Sequence, residues 1–373
     1  MSCRICTRCG KCGLVPAVPI REDGVAALPD LVPRRGLGAA VDIGTTTVVV
    51  RVYDLADGRR MRQSSVLNPQ RTVAADVMGR ISAAQAGRLA ELRDAIRAAI
   101  RGCLGGLEVT EAVIVGNTTM LYLFVGADPS SFATAPFRAD RLFGETDTTG
   151  RTSFARLRLP RCAHAFFGAD AVAAVRMSGM CARGGCELLA DIGTNGELAL
   201  WRGDRRELTV TSVAAGPAFE RPGLSGSEII AALADGLDSG AVDATGRVVG
   251  ALRGGLTQED VRAVQLAKAA VGAGIRTLLA RTGTKVSDIT RLSLAGGFGS
   301  GLDPTKAARI GLYPSELVPV VRVCGNLAIE GATAALLNPA FGDETDRLAE
   351  TARHLELGGD AGFEAAFLDA LSF

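Results

Sequence analysis

Two stretches of the chain share one pattern of apolar and polar positions. AAVDIGTTTVVVRVYD (39–54) and LLADIGTNGELALWRG (188–203) each run from apolar residues through Asp-Ile-Gly-Thr into a hydroxyl or amide cluster, then into a second apolar segment. Apolar runs broken by a Gly-containing cluster predict strand, turn and strand. Asp42 and Asp191 hold the same place in the two copies, 149 positions apart. That period is too long for a solenoid unit and predicts two related α/β halves, each opening on a hairpin.

Other apolar segments also end in glycine: AVIVGNTTM (112–120), SVAAGPAFE (212–220), LSLAGGFGSGLD (292–303) and VRVCGNLAIEGA (321–332). Each reads as a strand that opens into a loop, the place where α/β proteins bind ligands. Helical spacing marks 87–104, 258–283 and 343–357, with Thr257 or Ser227 placed to cap a helix. Residues 14–38 carry four prolines without a sustained period, as a linker or an extended wrap would. The expected organisation is a Cys-rich segment (1–13), a linker (14–38), a first lobe (39–186), a second lobe (187–342) and a C-terminal helix (343–373) packing back on the core.

The two turns carry candidate chemistry. Gly44 and Gly193 would permit φ > 0, letting the backbone curl its N–H groups around an anion. Thr45, Thr46 and Thr47 add hydroxyl donors in the first copy; Thr194, Asn195 and Gly196 follow in the second. One Asp at each mouth, Asp42 and Asp191, would hold hydrated Mg²⁺ or orient water. Two such turns facing each other would clamp a polyphosphate. Asn117 stands at a strand end expected to face the same cleft. Asp170 reads equally as part of a Mg²⁺ network or as a helix cap.

Composition narrows the classes. The 373 residues hold 41 Lys+Arg against 40 Asp+Glu, a net charge of +1 that argues against a nucleic-acid partner. The two histidines leave little room for His-based catalysis. No secretory signal is read at the N-terminus, and no stretch is read as the about 20 apolar residues of a membrane span. A cytoplasmic, reducing location is therefore expected, with no membrane partner. Of nine cysteines, Cys3, Cys6, Cys9 and Cys12 form a C-x2-C-x2-C-x2-C run. In a reducing compartment such a run holds metal rather than disulfides. Its spacing resembles the ligand run of a 4Fe–4S cluster, whereas structural zinc sites usually set their two pairs further apart. The other five cysteines are expected to pack as small apolar residues.

These motifs resemble the ASKHA superfamily, and within it the ATP-dependent reductive activators of corrinoid proteins. The strings that carry the resemblance are DIGTTT (42–47), LNPQ (67–70), ADVMGRI (75–81), GNTTM (116–120), FGAD (167–170), LADIGTNGELAL (189–200), AAGPAFE (214–220), QLAKAAVGAGI (265–275) and LAGGFG (294–299). The resemblance implies a duplicated, two-lobed ASKHA fold of the actin and heat-shock ATPase type. It implies ATP and Mg²⁺ at the two hairpins, with Gly296, Gly297 and Phe298 bordering the adenosine and Glu220 and Lys268 touching ribose or adenine. It further implies one-electron transfer through an iron–sulfur cluster to a Co(II) corrinoid protein or corrinoid-dependent methyltransferase, a reduced electron-donor protein, and a possible homodimer. Alternatives remain at this stage: an activator of another low-potential iron–sulfur enzyme, a small-molecule kinase of the same superfamily, or a nucleotide-gated binding protein with structural zinc.

Overall fold

The computed structural model describes residues 25–149, 153–216, 218–219, 221, 223–297 and 301–373. The described chain divides into two units: one runs to Arg183 and includes Ala328–Ala352, the other holds Gly184–Leu327 and Arg353–Phe373.

The first unit is built on a six-stranded mixed sheet. Its strands are β1 (Leu37–Ile43), β2 (Thr47–Asp54), β3 (Arg60–Leu67), β4 (Val109–Gly116), β5 (Glu145–Asp147) and β6 (Arg156–Leu159), in the order β3-β2-β1-β4-β6-β5. β1 pairs antiparallel with β2 and parallel with β4. It is covered on both faces, so its residues from Gly38 to Ile43 are all buried and apolar but for Asp42. β2 alternates instead, with Val48, Val50 and Val52 turned inward. Helices α1 (Val77–Ala83), α2 (Leu89–Leu104), α3 (Thr118–Val125) and α4 (Ala169–Met177) connect or flank these strands. Residues 25–36 have almost no regular structure and lie along this unit: the Ala26, Val32 and Arg34 N–H groups donate to the carbonyls of Met177, Leu337 and Leu55.

The second unit repeats the plan. Strands β7 (Cys186–Ile192), β8 (Gly196–Arg202), β9 (Glu207–Val213), β10 (Ile289–Gly296), β11 (Val321–Gly325) and β12 (Arg353–His354) lie in the order β11-β10-β7-β8-β9-β12. Again the first strand pairs antiparallel with the second and parallel with a later one. Helices α5 (Gly226–Asp238), α6 (Gln258–Thr282) and α7 (Pro304–Arg309) belong here. The α6 start is fixed by a capping box, Thr257 with Asp260, and its end by Gly283 at φ 66°. It is the one described helix long and apolar enough to cross a membrane, but 78% of its apolar window is buried inside the fold. Val261, Val264, Val271, Ile275 and Leu278 supply its inner face.

Three expectations change. Ser225, not Ser227, caps α5, because Glu228 stands three residues on and closes a capping box with it. The 343–357 periodicity is cut short: α9 (Pro339–Thr351) follows α8 (Leu327–Leu337) across Asn338-Pro339, and residues 353–354 form β12. The segment read as one C-terminal helix therefore holds α9 in the first unit and α10 (Ala361–Asp369) in the second.

Candidate functional site

The first turn joins β1 to β2. Ile43 pairs with Val48, leaving four residues to turn, and the Gly44 N–H donates to the Thr47 carbonyl at 3.0 Å. A Cβ on Gly44 would lie 2.7 Å from that same carbonyl. The glycine is required by this close approach. Its φ is not positive, which corrects the expected reason for its presence.

Three further segments hold the turn. Asn68, 1% exposed, donates its side-chain amide to the Gly44 carbonyl at 2.9 Å and its backbone N–H to the Thr46 carbonyl at 2.7 Å. Arg80 of α1 donates to the Thr45 carbonyl at 2.6 Å. Asn117 caps α3 through its Oδ1, which accepts from the Met120 N–H at 2.9 Å, and its Nδ2 donates to Thr45 Oγ1 at 3.1 Å. Asp42, Thr45 and Asn117 are each 7–8% exposed. Gly168 completes the packing, since a Cβ there would lie 2.3 Å from Asn117 Cα. Asp170 sits inside the first turn of α4, and Gly168 holds the cap position.

The second turn joins β7 to β8. Ile192 pairs with Gly196, so only three residues turn, closed by the Gly193 N–H on the Asn195 carbonyl at 2.8 Å. Gly193 also lacks a positive φ, and a Cβ there would meet nothing nearer than 3.8 Å. The demanding glycine is Gly296 at the end of β10. Its φ is 104°, and a Cβ would lie 2.3 Å from the Ile192 carbonyl and 2.8 Å from Asp191 Oδ1. The Gly297 N–H then donates to the Ile192 carbonyl at 3.2 Å. Gly296 and Gly297 are thus seated directly against Asp191 and the turn, with Thr194 buried.

Lys268 lies on α6, 2% exposed. Its ammonium donates to the Ser372 carbonyl and stands 4.9 Å from the centroid of the Phe373 ring. Burial, with Arg276 adding a smaller effect, draws its pKa down to about 8. Gln265, one turn earlier, donates to the Leu371 carbonyl at 2.9 Å.

The structure therefore joins Asp42, Gly44, Thr45, Thr46, Thr47 and Asn117 in one site, and Asp191, Gly193, Thr194, Asn195, Gly196, Gly296 and Gly297 in another. Glu220, Phe298, Cys3, Cys6, Cys9 and Cys12 lie outside the described residues. Among the described residues no group of three or more His, Cys, Asp or Glu side chains is placed to hold a metal. Cys103 and Cys162 are buried, as packing residues should be, and burial raises the Cys162 thiol to about 12. Cys181, Cys186 and Cys324 are only half-buried. Sequence reasoning gave no role to Asn68, Arg80 or Gly168, although LNPQ, ADVMGRI and FGAD were already distinctive strings.

Two matching sheets, each opening on an Asp-Ile-Gly-Thr hairpin, define a duplicated α/β fold of the ASKHA class. Comparison with known proteins carries this further. Residues 37–183 match the RACo middle region, and residues 185–222 and 253–373 match the C-terminal domain of RACo, the ASKHA domain. The chain belongs to the RACo family.

It is 29% identical to the corrinoid activation enzyme RamQ of Eubacterium limosum, over 89% of this chain and 69% of that one. It is 25% identical to the [Co(II) methylated amine-specific corrinoid protein] reductase of Methanosarcina barkeri, over 64% of this chain and 54% of that one. A solved structure of a reductive activator for corrinoid, iron–sulfur protein superposes with a TM-score of 0.84 at 27% identity, over 91% of this chain and 66% of that one. The chain thus spans between about half and about two thirds of the length of these relatives.

Proposed function

We propose that this protein is an ATP-dependent reductive activator that delivers one electron to a partner corrinoid protein, taking cobalt from Co(II) to Co(I). The observation that carries the reading is the match of both halves of the chain to one family, whose named relatives act on corrinoid proteins.

The site residues fit a nucleotide substrate. Each turn sets a carboxylate, Asp42 or Asp191, beside backbone N–H groups and hydroxyls, a combination suited to phosphate oxygens and a hydrated Mg²⁺. Asp42 and Asp191 would orient water and the metal; Thr45, Thr46, Thr47, Thr194 and Asn195 would cradle phosphates; Gly296, Gly297 and Phe298 would border the nucleoside, with Glu220 beside it, whereas Lys268 would reach it only if Ser372 and Phe373 moved off its ammonium. The donor set Cys3, Cys6, Cys9 and Cys12, four thiolates within ten positions, suits an iron–sulfur cluster, which would supply the one-electron chemistry. A reduced donor protein would refill it. ATP use gives such a protein a way to drive an uphill transfer by changing which of its states is populated.

The test is anaerobic. The full chain, reconstituted with iron and sulfide, is reduced and mixed with Co(II) corrinoid proteins, and Co(II) absorbance is followed with and without MgATP. Loss of Co(II) that requires ATP and fails in Asp42→Asn and Asp191→Asn is expected. An iron-free chain after reconstitution, or Co(II) loss indifferent to ATP, rejects the proposal.

A further inference from the structure

Arg80 is fully buried, with 0% of its surface exposed. Its Nε donates to the Ala74 carbonyl at 3.1 Å, Nη1 to Gln70 Oε1 at 3.3 Å and Nη2 to the Thr45 carbonyl at 2.6 Å. Nη1 also touches Met120 Sδ at 3.1 Å. Every polar partner is therefore a neutral oxygen. The acid that acts on it most, Asp76, is exposed and spends its carboxylate on the Gly79 N–H at the cap of α1. The other fully buried arginine of this unit, Arg176, has an ion pair with Glu344. Among the described residues Arg80 has none.

A buried charge without a counter-charge is costly, and a fold that needed only to fill this space would do so with an apolar side chain. The surroundings are instead built for the cation. Gln70, itself 0% exposed, is turned toward it by donating its amide to the Leu92 carbonyl at 2.9 Å. The guanidinium also grips the first turn at one chosen peptide. In a trans peptide the N–H points away from the C=O, so a cation on the Thr45 carbonyl aims the N–H of the same peptide to the opposite side. A charged donor on that carbonyl also polarises the peptide and strengthens its N–H as a donor. With Gly44 and Thr46 carbonyls held by Asn68, three successive carbonyls of the turn are engaged from the protein side.

We propose that Arg80 is a positioning residue of the first phosphate turn, a buried guanidinium whose missing counter-charge is the polyphosphate bound on the far side of the Thr45–Thr46 peptide. This rests on the reading of that turn as a phosphate site. Burial lowers the guanidinium to about 10, which leaves it charged at neutral pH.

The experiment uses the full chain and its Arg80→Met and Arg80→Lys variants. Affinities for MgATP and for Mg-pyrophosphate are measured by calorimetry, with melting of each free protein recorded alongside. Arg80→Met should weaken both probes about tenfold or more, while Arg80→Lys, which keeps the charge, should recover part of the loss. Equal loss in Met and Lys variants would make Arg80 a neutral strut and overturn the proposal. So would unchanged affinity in a folded Met variant. If Arg80→Met does not fold, Arg80→Gln, a donor without charge, replaces it under the same criteria. If the unmodified chain binds neither probe, the phosphate reading of the turn falls first and the role of Arg80 falls with it. Binding by the unmodified chain with indifferent variants removes Arg80 alone.

Discussion

The two Asp-Ile-Gly-Thr hairpins begin alike in sequence and are held by different physics. The first is a four-residue turn whose carbonyls are gripped by buried polar side chains, Asn68 and Arg80, with Asn117 on the Thr45 hydroxyl. The second is a three-residue turn backed by the glycine loop of Gly296 and Gly297. Side-chain support makes the first turn sensitive to the loss of hydrogen-bond partners. Backbone support makes the second sensitive to any added side chain.

The largest effect expected from this contrast is at Gly296. A Val there must adopt φ 104° and place its Cβ 2.3 Å from the Ile192 carbonyl. Gly296→Val should cost more than about 3 kcal/mol in urea unfolding and abolish MgATP binding. A well-folded variant with normal affinity would show that the loop is not the backing of the second turn.

The equivalent motif glycines give the sharpest comparison. Gly44→Ala pushes a methyl to 2.7 Å from the Thr47 carbonyl, whereas Gly193→Ala meets nothing within 3.8 Å. Gly44→Ala should lose about 1–3 kcal/mol, and Gly193→Ala should stay within about 1 kcal/mol of the unmodified protein. Equal losses in paired denaturation curves would erase the distinction.

Asn117→Ala comes next. It removes both the α3 cap and the bond to Thr45, and should cost about 1–2 kcal/mol together with a weaker nucleotide affinity. A stability loss with unchanged affinity would confine Asn117 to capping.

A further effect concerns pH. Lys268 loses its proton near pH 8 in the fold, against 10.5 for the free side chain. Between those values the unfolded chain binds the extra proton, so this residue makes stability rise with pH across that window. Melting temperatures from pH 8 to 10 should therefore climb more in the unmodified chain than in Lys268→Met. Parallel profiles would mean that the contacts with Ser372 and Phe373 hold the ammonium charged.

Much of this architecture was legible in the sequence. The duplicated hairpins, the strands ending at Gly116 and Gly296 and the Thr257 cap follow from periodicity and local motifs, and the wider superfamily from the resemblance carried by strings such as DIGTTT and LAGGFG. What was not legible depended on distance. Asn68 and Arg80 reach the first turn from loops and helices 24 and 35 positions away, a relation that no local pattern encodes. The reason for glycine at position 44 is hidden in the sequence for a similar reason: composition says that a residue lacks a Cβ, and only the fold says whether conformation or contact requires this. The Ser372 and Phe373 partners of Lys268 lie about a hundred positions on, so helical spacing could mark its burial face but not its company.

The central proposal is that the turn at 44–47 and the turn at 193–195 each bind nucleotide phosphate through their backbone amides. Hydrogen–deuterium exchange of the full chain with and without MgATP measures this directly. The account predicts slowed exchange in peptides covering 42–47 and in peptides covering 191–196, at the same nucleotide concentration. Protection of one turn alone, or of neither while ATP is bound, would contradict it.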